Sequence, residues 1–334
     1  MRSIVPWSGS SLPIEKPSRG LSRAILGFAA TLMIVASASV AVAHEGHDHD
    51  QDAAERAKDH GGHNMHEVHQ HGSLADTARQ ANNPLGTLWT LQNQFDIKTY
   101  HDIPLAGGGN ADGEVGFSWN FQPVLPLHLT PKWNLINRAV IPFLEVNPVP
   151  NASGGIDHPA EFGDIILANI LSPNKAKGFI WGVGTTWSFP SASSDRAGSG
   201  KVELGPAGGA FWLGKEWIFG VFPQQWFSIG GDSSRSDVSF LDMQYFVWRL
   251  LPGGWQVGFS PDLTVNWKAS SGNKVTFPIG IGVGRTFKIG GRAYKLDGQV
   301  FYSVVHPDVN GQRWGFRVRF SPIIDALCCS GTIF

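Results

Sequence analysis

The sequence predicts an all-β protein: a transmembrane antiparallel β-barrel of about 12 strands, preceded by a disordered His-rich segment. Three observations carry that reading. Long runs alternate apolar with polar or small residues at a period of two. Charged residues make up only 16% of the 334, while Trp numbers 13 and Gly 41. Short and long connections alternate along the chain. Few charges with many Trp suit a β-protein with a large apolar exterior, and a net charge of −1 points to no nucleic-acid partner.

Residues 1–43 are expected to form a signal peptide. Residues 24–43, AILGFAATLMIVASASVAVA, are the one long apolar run, with Arg19 and Arg23 before it and Ala41-Val42-Ala43 closing it. A run of that length could also anchor a protein in a bilayer, but the small-residue end fits an A-x-A cleavage site better than a charged stop. Cleavage would remove four Lys/Arg and one Glu, leaving 22 basic and 26 acidic side chains and a formal charge of −4. No second helical span follows, so a membrane protein here must cross with strands.

Residues 44–82 are expected to be a disordered periplasmic segment. Residues 44–72 hold eight of the 12 His among Asp, Glu and Gly, and contain almost nothing apolar to bury. His44, His47 and His49 form H-x-x-H-x-H, and His60, His63, His66, His69 and His71 continue the spacing. Imidazole with nearby carboxylates suits Zn, Cu or Ni, so these eight are the candidate metal ligands. A solvated linker that meets metal only incidentally is the plainer alternative. No cofactor is required by anything in the chain.

Residues 83–334 are expected to be the barrel. Its runs are read at 89–98, 114–129, 133–146, 160–173, 178–190, 201–214, 216–231, 236–251, 254–268, 273–290, 292–307 and 313–324. Soluble strands usually have about five or six residues, whereas a tilted membrane-crossing strand needs about nine to eleven. The alternation is cleanest late. In KVTFPIGIGVGRTFKIGG, residues 274–291, Val275, Phe277, Ile279, Ile281 and Val283 face away from Thr276, Pro278, Gly280, Gly282 and Gly284. Trp133, Trp217 and Trp255 open runs after tight turns, and Trp187, Trp267 and Tyr302 lie near the opposite ends, as interfacial aromatic girdles would. Pro123, Pro126, Pro142, Pro223, Pro261 and Pro278 fall inside runs, and bulges are expected to absorb some of them. Residues 73–92 have room for a short helix filling the lumen, a point left open. An even strand number puts both ends of the barrel, and the His-rich segment, in the periplasm.

Three stretches resemble a known family: NPLGTLWTLQNQFD (83–96), FQPVLPLHLTPKWNLINRAVIPF (121–143) and EFGDIILANILSP (161–173). They are similar to bacterial outer-membrane proteins of the family named for the MetA pathway of phenol degradation. The resemblance covers about residues 83–324. It implies an outer-membrane barrel that moves small molecules, aromatic or hydrophobic ones among them, and it implies no catalytic residues.

The inward-facing polar residues of the last strands are the candidate lumen lining: Asp262, Asn266, Lys268, Lys295, Asp297, Gln299, Arg317 and Arg319. Paired charges on adjacent strands can equally brace a wall. No enzyme is expected: His101, His128, His158 and His306 are scattered, and Ser191, Ser193 and Ser194 lack a nucleophile elbow. Cys328 and Cys329 are the only cysteines and give no disulfide framework. The expected function is an outer-membrane channel or transporter, with outer-membrane lipid and a small solute as its partners. Two alternatives remain: a metal-handling protein using the His tract, and a structural or adhesive surface barrel. Oligomeric state is not legible.

Overall fold

When polar and apolar residues alternate along every strand, closing the sheet encloses one set and turns the other outward. The computed structural model, which describes residues 74–175 and 177–324, shows this closure. The strands are β1 (Trp89–His101), β2 (Glu114–Thr130), β3 (Trp133–Val146), β4 (Ile165–Pro173), β5 (Gly178–Phe189) and β6 (Lys201–Leu213). They continue with β7 (Trp217–Gly231), β8 (Ser239–Leu250), β9 in two pieces (Trp255–Phe259 and Asp262–Asn266), β10 (Val275–Ile289), β11 (Arg292–Val305) and β12 (Gly311–Ile324). Each pairs antiparallel with its sequence neighbours, and β1 returns to β12 with Trp89 opposite Ile324 and His101 opposite Gly311. No edge is left over.

The two faces differ in chemistry. Phe179, Trp181 and Val183 of β5, Phe219 and Val221 of β7, and Ile279, Ile281 and Val283 of β10 are exposed outside. Gln94, Asp96, Asn120, Gln122, Ser188, Lys295, Asp297, Arg317 and Arg319 are buried inside. Trp217 at one end of the wall, and Trp267 and Tyr302 toward the other, are exposed as girdle residues would be. On the outer face, Asn169 Nδ2 donates to Asn137 Oδ1 at 2.7 Å, so two polar side chains there satisfy one another.

Residues 131–132, 174–175, 214–216, 251–254 and 290–291 lie at the short-turn end. The other end carries the loops at 102–113, 147–164, 190–200, 232–238, 267–274 and 306–310. Arg235 ties two of these together, donating through one nitrogen to the carbonyls of Asp195 at 2.6 Å and Gly198 at 2.7 Å.

Three of the six prolines sit where the ladder breaks, whereas Pro123, Pro126 and Pro223 keep the register of their pairs. The β2–β3 register slips beside Pro142, the β10–β11 register slips at Phe277/Pro278, and Ser260–Pro261 divides β9. Across that last break the Tyr245 hydroxyl donates to the Pro278 carbonyl. The expected run 160–173 is shorter as a strand. Ala160–Glu161 pairs separately with the end of β3, and the Gly163 N–H turns to the Pro142 carbonyl at 3.0 Å, so β4 starts only at Ile165. The expected signal peptide, the His-rich residues 44–72 and Cys328–Cys329 lie outside the described residues, whereas the end of the 44–82 segment expected to be disordered is ordered as a helix at Leu74–Gln80.

Candidate functional site: the barrel interior

The interior has two unlike sectors. On β3 to β8, near the short-turn end, Ile136, Ile170, Ile180, Phe211, Leu213, Ile218, Phe222, Phe246 and Trp248 form one apolar cluster. On β9 to β12 and β1 the inner side chains are mostly polar, with Phe301 and Ile323 among the exceptions. Arg317 joins two strands at once: Nε to Asp96 Oδ1 at 2.6 Å, Nη2 to Asp262 Oδ2 at 2.8 Å and Nη1 to the Ser260 carbonyl at 3.1 Å, with its guanidinium over the Phe301 ring. Arg319 holds Asp297 in a fork, its Nε 2.9 Å from both carboxylate oxygens. Gln299 donates to Asp297 Oδ1 at 3.0 Å and accepts from the Ser260 N–H at 2.7 Å.

Glycines on the inner face of β10 make this network possible. A Cβ at Gly284 would stand 2.7 Å from Asp297 Cβ, and one at Gly282 would stand 2.5 Å from Gln299 Cγ. Side chains of β11 therefore lean across β10, which explains the small inner residues of the 274–291 stretch.

The segment before β1 closes the short-turn mouth. Helix α1 (Leu74–Gln80) packs on the turn at Pro252–Gly254 and on β10. Arg79 Nε donates to the Gly214 carbonyl at 3.0 Å. Asn82 donates to Gln256 Oε1 and accepts from Lys295 Nζ, each at 2.6 Å. Leu85, 1% exposed, fills the apolar cluster, and a Cβ at Gly182 would meet its Cδ1 at 3.0 Å. Asn82 grips the polar sector and Leu85 the apolar one, so this short segment spans both.

Two cavities remain above it. One, about 50 Å³, lies at mid-barrel against Arg138, Gln122, Gln224, Asp262 and Phe222. The other, about 60 Å³, opens toward the long loops beside Asn120, Glu145, Asp164 and Ser188. They share Val140 and Ile166. Arg138 donates to Gln122 Oε1 at 3.0 Å, sits over the Phe222 ring and, among the described residues, has no carboxylate at ion-pair distance.

Of the candidate lining residues, Lys295, Asp297, Gln299, Arg317 and Arg319 are buried on the inner face, and Asp262 borders the mid-barrel cavity. Asn266 pairs in register with Phe240, which borders the same cavity. Lys268 departs from the expectation. The Asn266 side chain accepts the Lys268 N–H at 3.1 Å, the chain turns there, and Lys268 is exposed in the 267–274 loop. The ion pairs spend the charges of Arg317, Arg319, Asp262 and Asp297 on one another, which is the bracing arrangement. Sequence reasoning did not single out Arg138, Asn120 or Gln122. The inner face of β3 reads Asn134, Ile136, Arg138, Val140, Pro142, so its alternation is masked by apolar inner residues. No cluster of metal-ligating side chains occurs among the described residues, and His44 to His71 lie outside them.

No family model matches the chain, and no curated protein matches its sequence. The resemblance of residues 83–96, 121–143 and 161–173 to the MetA-pathway family rests on those stretches alone. Among solved structures, a Pseudomonas aeruginosa FadL homologue aligns over 73% of this chain and 93% of that one at 10% identity, with a TM-score of 0.36, too loose a superposition to carry weight. An outer membrane channel from Pseudomonas putida F1 is similar over 72% of this chain and 97% of that one, at 14% identity and a TM-score of 0.52. That likeness is one of fold: this chain has the architecture of an outer-membrane β-barrel.

Proposed function

We propose that this protein is an outer-membrane channel that admits small molecules from the long-loop side, with its N-terminal segment in the periplasm. One observation carries the reading. A wall that is greasy outside and half polar inside encloses two cavities that share Val140 and Ile166, one of them beside the long loops, while residues 74–88 fill the short-turn end as a plug. A structural barrel needs neither the cavities nor a plug that is held by single side chains. Passage requires that the plug leave the mouth, because Leu85 and Asn82 block the way from the mid-barrel cavity to the short-turn end.

Solute size follows from the same geometry. A cavity of about 150 Å³ holds a benzene. The two cavities, at about 50 and 60 Å³, are less than half of that. The aromatic solutes implied by the family resemblance would therefore enter only with movement of the wall or plug, whereas solutes of a few atoms fit the resting state.

Planar-bilayer recordings test the proposal. The full chain is expected to give small, infrequent steps, and a chain lacking residues 74–88 larger and more persistent ones. Silent bilayers with both proteins would retire the channel reading.

A further inference from the structure

Charge is spread unevenly between the two ends of the wall. Across the short turns and their flanking strand ends, residues 130–134, 173–178, 213–218, 248–256 and 285–292, stand eight Lys or Arg and one acid, Glu216. Each of those five stretches supplies at least one cation, so together they form a ring and not a local patch. Lys132, Lys175 and Lys215 occupy three successive turns, and Arg249, Lys288 and Arg292 continue the circuit at the ends of β8, β10 and β11. Lys132, Lys175, Lys215, Lys288 and Arg292 are exposed, and among the described residues none has a carboxylate at ion-pair distance. The long-loop end is built the other way: Arg196, Lys201, Arg235 and Arg313 each stand between 3.2 and 3.7 Å from a carboxylate.

Two of the cations mark the height of the ring. Arg249 pairs in register with Trp217 and lies over its ring at 5.8 Å. Arg285 pairs in register with Trp255 and lies over its ring at 5.0 Å. Arg285 follows Ile279, Ile281 and Val283 at a period of two, so the greasy face of β10 ends in a guanidinium. Trp at a bilayer boundary sits among the headgroups, so an Arg stacked on it stands at the depth of the lipid phosphates.

Shape and sign together choose the occupant. Hydrocarbon cannot satisfy a ring of cations, and a folded protein would meet one arc of it. Headgroups meet the whole circumference, and an anionic bilayer surface attracts each Lys or Arg that comes within a Debye length of it. We infer that the short-turn rim binds anionic phospholipid headgroups, of the phosphatidylglycerol kind, in preference to zwitterionic ones. The inference takes from the channel reading only the orientation that makes this leaflet the periplasmic one, and the binding itself does not depend on conduction.

Tryptophan quenching by brominated lipids tests it. The full chain is reconstituted in vesicles that mix phosphatidylglycerol with phosphatidylcholine, one or the other brominated, at low salt. Phosphatidylglycerol is expected to be favoured about threefold or more, and the preference should vanish in about 0.5 M NaCl. Lys132→Gln, Lys175→Gln, Lys215→Gln and Lys288→Gln combined, all at exposed positions, should at least halve it, as should Arg249→Gln with Arg285→Gln. Lys268→Gln with Lys274→Gln, exposed at the long-loop end, should leave it unchanged. Equal quenching by the two lipids in the unaltered chain overturns the inference and hands the rim to an acidic protein partner. A preference that both rim variants keep, or that the Lys268 and Lys274 changes abolish, overturns it as well. Bilayer recordings on the same preparation separate the two ideas. A barrel that favours phosphatidylglycerol but does not conduct retires the channel and leaves the rim, and the reverse retires the rim only.

Discussion

Arg319 and Asp297 are both nearly fully buried, so neither can lose its partner to water cheaply. Removing one member of such a pair leaves an uncompensated charge and typically costs about 3–5 kcal/mol. Arg319→Ala should therefore lower the unfolding free energy of the barrel in lipid vesicles, measured by urea titration, by that order, and Arg319→Leu combined with Asp297→Leu should recover part of the loss. Arg317→Lys is also expected to destabilise, because an ammonium cannot reach Asp96, Asp262 and the Ser260 carbonyl as the guanidinium fork does. At the rim, the Ser234 hydroxyl and N–H donate to Asp232 at 2.7 and 2.8 Å and hold its carboxyl below its ordinary value. A depressed folded value stabilises the loop above the unfolded pKa, and that contribution disappears as pH falls through the folded one. Ser234→Ala should move the Asp232 titration up toward 3.8 in carboxyl-detected NMR. The pairing of these charges could not be read from the sequence. Alternation assigned Arg317 and Arg319 to one face, but which acid each met depended on the β1–β12 closure and on the lean of β11 over β10.

Among the elements, β10 shows how a strand serves its neighbour by being thin. Gly284→Ala would set a Cβ 2.7 Å from Asp297 Cβ, and overpacking of this kind costs about 1–3 kcal/mol. The expected readout is a lower unfolding midpoint with an unchanged far-ultraviolet circular dichroism spectrum. The sequence showed the small residues of β10 but not their purpose, since the bulky groups that need the space come later, at Asp297 and Gln299. The plug behaves differently. Leu85→Asp places a carboxylate in the apolar cluster of Ile136, Ile170, Phe211 and Trp248, so the segment should detach and bilayer conductance should rise several-fold, while the barrel itself keeps its heat-modifiable migration in gels. Residues 83–88, NPLGTL, carry no helical or strand period, so only the lumen around Leu85 gives the segment a place to fold.

For the molecule as a whole, the outer face decides where it can live. Exposed Phe, Trp, Ile and Val recur on most strands of the wall, well beyond the few hundred Å² of apolar patch that soluble monomers tolerate. The mature protein should sediment with outer membranes and resist carbonate extraction, and recovery as a monodisperse species in detergent-free buffer would contradict the lipid-facing assignment. Most of this architecture was legible beforehand, because period-two alternation and the alternation of loop lengths are local properties of the chain. The cavities were not legible, because they arise where four or five distant strands face one another across the lumen.

The plug and the wall are one polypeptide, with only residues 86–88 between Leu85 and the first strand. A tether that short keeps the detached stopper at an effective concentration on the order of millimolar or more. The hold at the mouth can therefore be weak and still re-seat after every release, because resealing never has to wait for a free molecule to diffuse back.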